Sequence, residues 1–370
     1  MDSRTVLIVA VSGRALAASA RRGGYVPLVI DYFGDSDTLA LAGAHARLDG
    51  GLARGISAGA LDAAIAKATA GQQPCGVVCG TGFEDRPELL EHLARRWRVY
   101  GNSADTVARL KDPMAFASLC GHLRIPHPET RMSRPGDTAG WLAKRKGGAG
   151  GSHIGPAAER AAADEIYYQR RVAGSPISLL FLADGRHACV LGSSAQWSAP
   201  TRQHPFRYGG AVRPAALTAR ATGALAESVH RLAGAIPLFG LNSADFLVEE
   251  DGFRLLEINP RPSATLDIFE PPGGSLFALH MSACDGKLAS SAASLTGAMA
   301  TAIVYAERDL SVPAVDWQDW TADRPHAGTD VKAGEPVCTV RASAANAAEA
   351  RQLVDQRLAT VLSWTHARNS

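Results

Sequence analysis

The chain has 370 residues, which is too long for one ordinary domain and enough for two or three packed units. Hydrophobic residues make up 46% of it, so a substantial core is expected and wholesale disorder is not. The 38 Lys and Arg residues nearly balance the 36 Asp and Glu residues, which gives no global attraction to nucleic acid or to an anionic membrane surface.

The cysteines and the apolar runs bear on the cellular compartment of the protein. The six cysteines are scattered, without a C-x-x-C motif and without histidines at zinc-ligand spacing. We therefore expect reduced, buried thiols in a cytoplasmic protein. His122 and His127 have no third candidate ligand nearby and are predicted to be structural. The longest N-terminal apolar run, residues 6–11, is too short for a signal peptide or a membrane span, and nothing else approaches a span.

The first hundred residues alternate predicted strands with predicted helices. Strands are predicted at "TVLIVAV", "YVPLVIDYF" and "CGVVCG", and helices at "RALAASARR", "ALDAAIAKATA" and "RPELLEHLARR". This alternation predicts a parallel, doubly wound sheet. Ser12 and Gly13 after the first strand lack the full G-x-G-x-x-G pattern, so a structural β-α-β start is favoured over a dinucleotide site.

In the middle of the chain, the regular alternation of strands and helices ends. The helical stretch "NSADTVARLKDPMAFASLCGHL" is predicted to break at Asp112 and to restart at Pro113, because proline suits the first turn of a helix. The extended linker "RIPHPET" follows. Between residues 141 and 197, the runs "GWLAKRK", "EIYYQRRV", "ISLLFLA" and "HACVLGSSAQW" predict one antiparallel sheet with hairpins, one of which turns at "ADGR".

The last third of the chain mixes helices with strands. Helices are predicted at "AALTARATGALAESVHRLAGA" and after "PPGG" at residues 271–274, and "LNSADFLVEEDGFRLLEINP" predicts a hairpin turning at residues 250–252. Two strands near residues 302–306 and 336–340 and the helix "AANAAEARQLVDQRLATVL" complete the chain. The sequence has no internal repeat.

The end of that hairpin carries the strongest chemical signal. Residues at i and i+2 of a strand share a face, so Glu257 and Asn259 point the same way. Counted from the turn near Asp251, Asp245 lies six positions back and Glu257 six positions forward, which brings the two carboxylates together. Two carboxylates and an amide oxygen suit Mg²⁺, which completes its shell with water and phosphate oxygens. Taken alone, a solvated hairpin with a surface charge pair explains the pattern equally well.

Three further features add to this signal. Arg261 follows Pro260, which ends the strand, and can hold a carboxylate or a phosphate through two hydrogen bonds. Lys144 lies in an apolar run before the glycine loop "GGAGGSHIG", whose backbone can approach phosphate oxygens closely. Lys111 directly precedes the Asp-Pro break. When each feature is considered alone, the glycine loop is most simply a flexible hairpin loop, and Lys111 is most simply a surface lysine.

In this order, these residues resemble the ATP-grasp superfamily over nearly the whole chain. The resemblance rests on "RLKDPMAFASLCGHLRIPHPET", on the strand lysine with its glycine loop, on the hinge strand and on the ending D…E-x-N-P-R. It implies an α/β and α+β architecture. A pre-ATP-grasp domain with a parallel sheet would cover residues 1–110, two α+β lobes enclosing ATP would cover residues 111–172 and 173–290, and a small strand and helix module would cover residues 291–370.

The resemblance also implies roles for individual residues. ATP would lie between the lobes with two Mg²⁺ ions, or with Mn²⁺ in their place. The metal ligands would be Asp245, Glu257 and Asn259, and the catalytic groups would be Lys144 and Arg261. The ATP-binding residues would be Lys111, Lys144, Gly147, Gly148, Gly150, Gly151, Ser152, Gln169, Arg170 and Val172. Pro176 replaces a glutamate that contacts the ribose in many members, so either another group makes that contact or nucleotide selectivity is loosened.

Within the superfamily, four segments look most like a group of predicted carboxylate–amine ligases: "GTGFEDRPELLEHL", "SSAQW", "LNSADFLVEEDG" and "EINPRPSATLDIFE". Its relatives include the tyramine–glutamate ligase of methanofuran biosynthesis and, more distantly, biotin carboxylase. The resemblance implies an ADP-forming ligase that activates a carboxylate as an acyl phosphate and joins it to an amine. It suggests glutamate or a furan-cofactor precursor as a substrate, in the biosynthesis of a C1-carrier cofactor similar to methanofuran. Arg261 would orient the carboxylate or stabilise the oxyanion.

Glu84 has two interpretations. It follows the strand "CGVVCG", so it lies at the carboxyl edge of the parallel sheet, where ligands of α/β proteins usually bind. It would then recognise the substrate amine; otherwise, residues 80–84 are an ordinary turn at the end of a strand. The base that deprotonates the amine is not identified by the sequence. His153 and His204 are loop candidates, and each also fits a surface histidine.

Three alternative functions stay open. A kinase would use the same ATP site and stop at a phosphorylated product. A biotin-dependent carboxylase would need a biotin acceptor, and the chain has no Met-Lys-Met segment. A nucleotide-binding protein without enzymatic activity would keep the lysines without the full set of metal ligands. Small molecules are the expected partners, and a homodimer is expected only as the default for oligomers.

Overall fold

The computed structural model describes residues 4–160, 163–289 and 295–366. Its strands are β1 Thr5–Val9, β2 Val26–Asp31, β3 Ala44–Arg47, β4 Val77–Cys79, β5 Val99–Tyr100, β6 Thr130–Arg131, β7 Trp141–Arg145, β8 Ile154–Pro156, β9 Ile166–Arg170, β10 Ser175–Asp184, β11 Ala188–Ser198, β12 Tyr208–Arg213, β13 Phe239–Glu249, β14 Gly252–Asn259, β15 Ala298–Tyr305, β16 Leu310–Ser311, β17 Thr321–Ala322, β18 Asp330–Val331 and β19 Pro336–Ala344. Its helices are α1 Arg14–Arg22, α2 Ser36–Leu41, α3 Ala58–Ala68, α4 Glu88–Ala94, α5 Ala104–Lys111, α6 Pro113–His122, α7 Ala219–Ala235, α8 Leu266–Phe269, α9 Leu276–Cys284 and α10 Ala347–His366. Two 3₁₀ helices lie at Leu52–Arg54 and Ala157–Glu159.

The N-terminal sheet is parallel, as predicted, with the strand order β3-β2-β1-β4-β5. Alternate residues of β1 enter two different cores: Leu7 and Val9 pack with α3 and α4, whereas Val6 and Ile8 pack with α1. Because both faces are covered, the strands are continuously apolar, which is why the sequence revealed them. β3 was not predicted because its four residues, Ala-His-Ala-Arg, carry no apolar run.

The antiparallel region forms two sheets, so the prediction of a single sheet is wrong. The small sheet has the order β6-β9-β7-β8, and the large sheet has the order β14-β13-β10-β11-β12-β15-β19-β17. The chain passes from one to the other at residues 171–174. Gly174 has a φ of +124°, and a Cβ there would lie 3.0 Å from the backbone of Val248. The glycine therefore permits the close crossing by which the chain changes sheets.

The large sheet packs on both faces. On one face, Leu179 and Phe181 of β10 meet Leu225 and Val229 of α7. On the other face, β10 shares a core with α9 and with α1 of the N-terminal sheet. This common core holds the two sheets against each other, so the carboxyl edge of the parallel sheet lies beside the end of β14.

The break between α5 and α6 lies where the sequence predicts it. Asp112 has a ψ of 117°, which ends α5 at Lys111, and its Oδ1 accepts hydrogen bonds from the backbone N–H groups of Met114 and Ala115. Pro113 occupies the first turn of α6. The capped restart fixes Lys111 as the last helical residue before the turn.

The C-terminal strands continue the large sheet. β15 pairs with β12, β19 pairs with β15, and α10 packs on them, which confirms the predicted tail strands and helix. The predicted boundary between residues 290 and 291 lies outside the described residues. The division into units ending at residues 110, 172 and 290 stays a prediction.

The predictions for the cysteines and histidines are largely confirmed. None of the six cysteines is in a disulfide, and only Cys75 is exposed, contrary to its expected burial. His127 is structural, since its Nδ1 lies 2.7 Å from the carbonyl oxygen of Leu255, while His122 is exposed at the end of α6. Among the described residues, the helices are all too short or too polar to cross a membrane.

Candidate active site

The hairpin of β13 and β14 places the predicted metal ligands side by side. Asp245 pairs directly with Glu257, as the sequence count predicts. The pairing depends on a β-bulge, because the register shifts between Asp245 and Phe246 and leaves Leu256 as the extra residue. Without the bulge, Asp245 would pair with Leu256, and Glu257 would turn to the other face of the sheet.

Lys111 reaches this hairpin from the end of α5. Its Nζ donates hydrogen bonds to Oε2 of Glu257 and to Oδ1 of Asn259, both at 3.0 Å, and its side chain is 7% exposed. The Nδ2 of Asn259 in turn donates to Oδ2 of Asp245 at 3.0 Å. The three predicted ligands therefore lie together, and two of them already converge on a positive charge.

The charges of this cluster shift one another's ionisation. Burial raises the pKa of Asp245, and the neighbouring carboxylate of Glu257 raises it further. Burial also opposes the ionisation of Glu257, but Lys111 and Lys144 outweigh it and lower the pKa of Glu257. Burial lowers the pKa of Lys144, and Lys111 adds to the effect. Glu257 is therefore the carboxylate that keeps its charge most firmly.

Lys144 and Gln169 lie next to each other in the small sheet. The Nζ of Lys144 donates to Oε1 of Gln169 at 2.7 Å, and Nε2 of Gln169 donates to the hydroxyl of Thr130 at 3.2 Å. Arg170 points to the other face, where its guanidinium carbon lies 4.4 Å from the centroid of the Trp141 ring. The side chain of Gln169 therefore belongs with Lys144, whereas that of Arg170 is turned away. The last of the predicted ATP-binding residues on this segment, Val172, is half-buried.

The glycine loop between β7 and β8 packs against both neighbouring units. Gly147 has a φ of +64°, and a Cβ there would lie 2.5 Å from the Cα of Asp85, after the parallel strand β4. Gly151 has a φ of +74°, and a Cβ there would lie 1.9 Å from the carbonyl oxygen of Phe206, before β12. Side chains at these two positions would push the loop away from its supports.

Hydrogen bonds hold the same loop on the start of β12 and on the residues before that strand. The backbone N–H of Tyr208 donates to the carbonyl oxygen of Gly150 at 2.9 Å. The Nδ1 of His204 lies 2.9 Å from the carbonyl oxygen of Ser152. His204 therefore supports the loop through Nδ1.

Glu84 and Arg261 form a buried ion pair at the carboxyl edge of the parallel sheet. The Nε of Arg261 donates to Oε1 of Glu84 at 2.7 Å, and Oε2 of Glu84 accepts from the backbone N–H groups of Gly82 and Phe83. The two side chains are only 4% and 13% exposed. Burial opposes the ionisation of Glu84, but Arg261 and Lys111 outweigh it and lower its pKa. Glu84 lies at the predicted edge, and its carboxylate orients Arg261.

Two open spaces adjoin these groups. One has a volume of about 400 Å³, which includes the solvent at its mouth. It lies between the small sheet, the start of α6 and β14, and Lys111 and Glu257 are in its wall. The other amounts to about 370 Å³ on the same measure and lies between the parallel sheet and residues 260–262, with Glu84 and Arg261 in its wall. Each charged pair therefore borders its own cavity.

Sequence reasoning missed the groups on neighbouring strands that surround Asp245. The Nε2 of Gln196 lies 3.5 Å from Oδ1 of Asp245, and the hydroxyl of Ser178 bonds the same carboxylate. Tyr208 lies close enough for Asp245 to raise its pKa, after the larger effect of burial. These residues are 37 to 67 positions away from Asp245 in the chain, so only the order of the strands could have found them.

The residues of the cleft fit a magnesium–nucleotide group. Two carboxylates and an amide oxygen are the ligands that Mg²⁺ prefers. Two buried polar atoms, Nδ1 of His153 and the hydroxyl oxygen of Tyr208, have no partner among the described residues. They lie near Glu257 and Asp245, respectively. The part of the chain that the structure describes holds no group of three or more His, Cys, Asp or Glu side chains suited to a metal, so a cation here would depend on Asn259 and on oxygens of the nucleotide.

Comparison with known proteins bears on the fold. Residues 115–265 match a family model described as the ATP-grasp domain. The biotin carboxylase domain of Hydrogenobacter thermophilus 2-oxoglutarate carboxylase, solved with MgADP, ADP and bicarbonate, is similar with a TM-score of 0.73 and 13% identity, over 97% of this chain and 89% of that chain. Biotin carboxylase of Campylobacter jejuni, solved as a β-γ-ATP complex, gives a TM-score of 0.69 and 15% identity, over 95% of this chain and 89% of that chain.

A third solved structure is that of an enzyme with a different name. The N5-carboxyaminoimidazole synthase of Aspergillus clavatus, in complex with ADP and 5-aminoimidazole ribonucleotide, gives a TM-score of 0.71 and 15% identity, over 98% of this chain and 99% of that chain. At these identities the likeness concerns the fold. The chain therefore has the ATP-grasp fold, in which a parallel N-terminal sheet is joined to antiparallel sheets.

Proposed function

We propose that this protein is an ADP-forming carbon–nitrogen ligase that uses MgATP to join a carboxylate to an amine. The observation that carries the proposal is the convergence of two lysines and three oxygen ligands beside a docked glycine loop: Lys111, Lys144, Asp245, Glu257 and Asn259. The nucleotides named with the solved neighbours, ADP and β-γ-ATP, support the choice of ATP.

The charged residues of the cleft would bind the triphosphate. Lys111 and Lys144 would contact its phosphates, and Asp245, Glu257 and Asn259 would hold two Mg²⁺ ions. The metal, when bound, would neutralise charge on the phosphates during phosphoryl transfer. Because Lys111 contacts Glu257 and Asn259 at 3.0 Å, its ammonium would have to leave these oxygens for a cation to bind them. The glycine loop would shield the reacting phosphate from water.

The reaction would proceed in two steps. The substrate carboxylate would attack the γ-phosphate to give an acyl phosphate and ADP, and the amine would then attack the acyl carbon and release phosphate. Arg261, held by Glu84, would orient the carboxylate. A substrate amine bound at Glu84 would have to share a carboxylate that already accepts hydrogen bonds from Arg261, Gly82 and Phe83.

The finer predictions rest on sequence resemblance. Glutamate as a substrate, a place in C1-carrier biosynthesis and kinship with the tyramine–glutamate ligase are carried by the four quoted segments alone. The roles of Gln169, Arg170 and Val172 around adenine have the same basis. For Arg170 any such contact would involve the backbone, since its side chain lies on Trp141.

Carboxylation is the second candidate. Bicarbonate is itself a small carboxylate equivalent, and one neighbour is solved in complex with bicarbonate and MgADP. A kinase that stops at a phosphorylated product would use the same cleft. The three reactions differ in the carboxylate that is activated and in whether an amine then releases phosphate.

The test is a screen of ADP release by the purified chain against paired carboxylates and amines, with bicarbonate and glutamate among the carboxylates. We expect ADP release that needs both a carboxylate and an amine and that is lost in Glu257→Gln. Bicarbonate as the effective carboxylate would make the protein a carboxylase, and a stable phosphorylated product without amine would make it a kinase. Absence of both nucleotide binding and ADP release would contradict the proposal.

A further inference from the structure

The cavity beside Glu84 and Arg261 lies at the carboxyl ends of two neighbouring parallel strands. Its wall includes residues 79–80, where β4 ends, residues 99–101, where β5 ends, and residues 260–262, which follow β14. The carboxyl ends of the strands are the usual place for a ligand in an open α/β sheet. The cavity is also separate from the space that has Lys111 and Glu257 in its wall.

The wall of this cavity is apolar apart from one ion pair. Among the described residues, its charged side chains are Glu84 and Arg261. The amide of Asn102 is already used, because Nδ2 donates to the carbonyl oxygen of Pro260 and Oδ1 accepts from the backbone N–H of Phe239, both at 2.9 Å. The other side chains of the wall are apolar or only weakly polar: Cys79, Phe83, Leu90, Val99, Tyr100, Val107, Pro260 and Pro262.

Arg261 can accept one more anionic partner. Its Nε donates to Oε1 of Glu84 at 2.7 Å, and its Nη1 donates to the carbonyl oxygen of Pro262 at 3.2 Å. Within the described part of the chain, Nη2 has no hydrogen-bond partner. A guanidinium with a free nitrogen can donate to a further carboxylate. Since Glu84 already balances the charge of Arg261, the pair can hold one carboxylate but has nothing to offer a second.

The position of Arg261 indicates how the substrate is oriented. The phosphates are expected near Lys111, whose Nζ contacts Asn259, two residues before Arg261. Arg261 itself is in the wall of the cavity at the sheet edge. A carboxylate on Arg261 would therefore lie between the phosphates and this cavity. The group attached to that carboxylate would then extend into the cavity.

We propose that this cavity binds the group attached to the reacting carboxylate, and that this group is compact and apolar. It is the alkyl chain of a simple acid or the side chain of an α-amino acid. The inference rests on the proposed function and deepens it, because it names the class of carboxylate that is activated. A second carboxylate, as in aspartate or glutamate, would be buried against apolar walls beside Glu84 without a cation of its own.

The experiment measures ADP release and hydroxamate formation by the whole chain with MgATP, a carboxylate, and hydroxylamine in place of the amine. The nitrogen of hydroxylamine attacks the carbonyl carbon of an acyl phosphate, releases phosphate and leaves a hydroxamate, so any activated carboxylate is trapped. L-valine is compared with L-aspartate, and butyrate with succinate; within each pair the sizes are similar and the charge differs by one. L-glutamate is included as a further charged substrate.

We expect one apolar member, valine or butyrate, to be the better substrate. Its kcat/KM should exceed that of its charged counterpart and that of glutamate by about 100-fold or more, because an unpaired buried carboxylate is strongly disfavoured. Activity with valine alone would identify an α-amino acid as the substrate, and activity with butyrate would identify a simple acid.

Val99→Leu tests the cavity itself. Val99 is half-buried in the wall, and the added methylene group would narrow the space. We expect the ratio of kcat/KM for valine to that for alanine, or for butyrate to that for acetate, to fall about 10-fold, with MgATP affinity unchanged. Val26→Leu is the matched control. Val26 is also half-buried, but it lies at the amino end of β2 in the same sheet and outside this wall, so its ratio should equal that of the wild type.

Each other outcome has a definite meaning. If a dicarboxylate is activated as well as its apolar counterpart, or if Val99→Leu and Val26→Leu change the ratio equally or not at all, the inference is wrong and the proposed function stands. Bicarbonate as the only effective carboxylate would overturn the inference and make the protein a carboxylase. Absence of both nucleotide binding and ADP release would overturn the inference and the proposed function together. If Val99→Leu does not fold, a crystal structure of the wild type with ADP and the best carboxylate decides, through the presence or absence of the apolar group in this cavity.

Discussion

The molecule has two dense clusters of charged side chains, and they differ in how completely they are bonded. The Arg14 cluster consists of Arg14, Asp31, Asp37, Asp267 and Asp323, and the cleft cluster consists of Lys111, Lys144, Asp245, Glu257 and Asn259. In the Arg14 cluster every carboxylate oxygen accepts a hydrogen bond from within the chain. In the cleft cluster Nζ of Lys111 serves two acceptors at once. Among the described residues, buried polar atoms without a partner lie near both clusters: Nδ1 of His153 and the Tyr208 hydroxyl near the cleft, and Nε of Arg341 near Arg14 and Asp267.

The saturated cluster is a structural joint. Arg14 starts α1, and its guanidinium bonds both oxygens of Asp267 and both oxygens of Asp323. Asp37 accepts from the backbone N–H groups of Asp323 and Arg324. These bonds tie the N-terminal sheet to the segment after β14 and to the C-terminal strands. The comparison shows that density of charge alone does not indicate a ligand site, because the carboxylates of the Arg14 cluster are all bonded within the chain.

The largest expected effect concerns the cleft cluster. Glu257→Gln should lower ADP release about 10³-fold, because it removes the carboxylate that stays ionised beside Lys111 and Lys144. The thermal midpoint should change little, because the glutamine can still accept from Lys111. Steady-state assays and thermal melts of the same preparations check this. Near-normal turnover would remove Glu257 from the metal site.

The second effect concerns the joint. Arg14→Met should lower the free energy of unfolding by about 3 kcal/mol, because it leaves Asp267 buried without its cation. Nucleotide affinity, measured well below the melting temperature, should be little changed. Arg22→Met is the control on the same helix, since Arg22 is 46% exposed and contacts Glu270 at 3.5 Å. Urea denaturation showing equal losses in the two variants would contradict the role of Arg14 as a joint.

The third effect tests the strand lysine. Lys144→Met should weaken MgATP binding by about 2 kcal/mol, or roughly 30-fold, because it removes a charge-assisted hydrogen bond while keeping most of the buried volume. Lys332→Met, at a position 69% exposed and paired with Asp309, should bind as the wild type does. Calorimetric titration measures both. An unchanged affinity for Lys144→Met would mean that Lys144 serves only Gln169.

The fourth effect concerns Asp35, a carboxyl group beside the Arg14 cluster whose pKa is raised. It is 6% exposed, and burial, followed by Asp323, Asp31 and Asp37, raises its pKa to about 8 against the opposing effect of Arg14. The folded chain therefore holds this proton more tightly than the unfolded chain, so stability should fall as the pH rises from about 4 to about 8.

Asp35→Asn should remove that slope. The variant should gain on the wild type across this pH window and gain no more above it. Urea denaturation at several pH values measures the difference. Asp251→Asn, at the exposed hairpin turn, is the control. A stability difference between wild type and Asp35→Asn that does not depend on pH would show that Asp35 is not protonated in the folded chain.

The sequence was most informative where chemistry and local pattern coincide. The parallel strands are continuously apolar because helices cover both of their faces, and Asp112 and Pro113 fix the helix break through capping. The pairing of Asp245 with Glu257 was predicted from a turn centred on Asp251. The turn is centred half a residue earlier, since Glu249 pairs with Gly252, and the bulge at Leu256 restores the predicted pair. A symmetric count could not have revealed the bulge.

Groups that meet only through the order of the strands were out of reach. Tyr208 and Gln196 approach Asp245 because β13, β10, β11 and β12 are neighbours in that order, which no local spacing encodes. The same limit explains the prediction of one antiparallel sheet, since alternating residues look alike on either side of Gly174. The ion pair of Glu84 with Arg261 joins residues 177 positions apart, and neither spacing nor composition indicates it.

The most direct measurement is a crystal structure of the chain with AMP-PNP and Mg²⁺. We expect Nζ of Lys111 to leave the oxygens of Glu257 and Asn259 for a phosphate, a cation to take its place on those oxygens, and the glycine loop to lie over the triphosphate. A nucleotide bound elsewhere, or Lys111 still on both oxygens with the nucleotide in the cleft, would contradict a metal–nucleotide site at this hairpin.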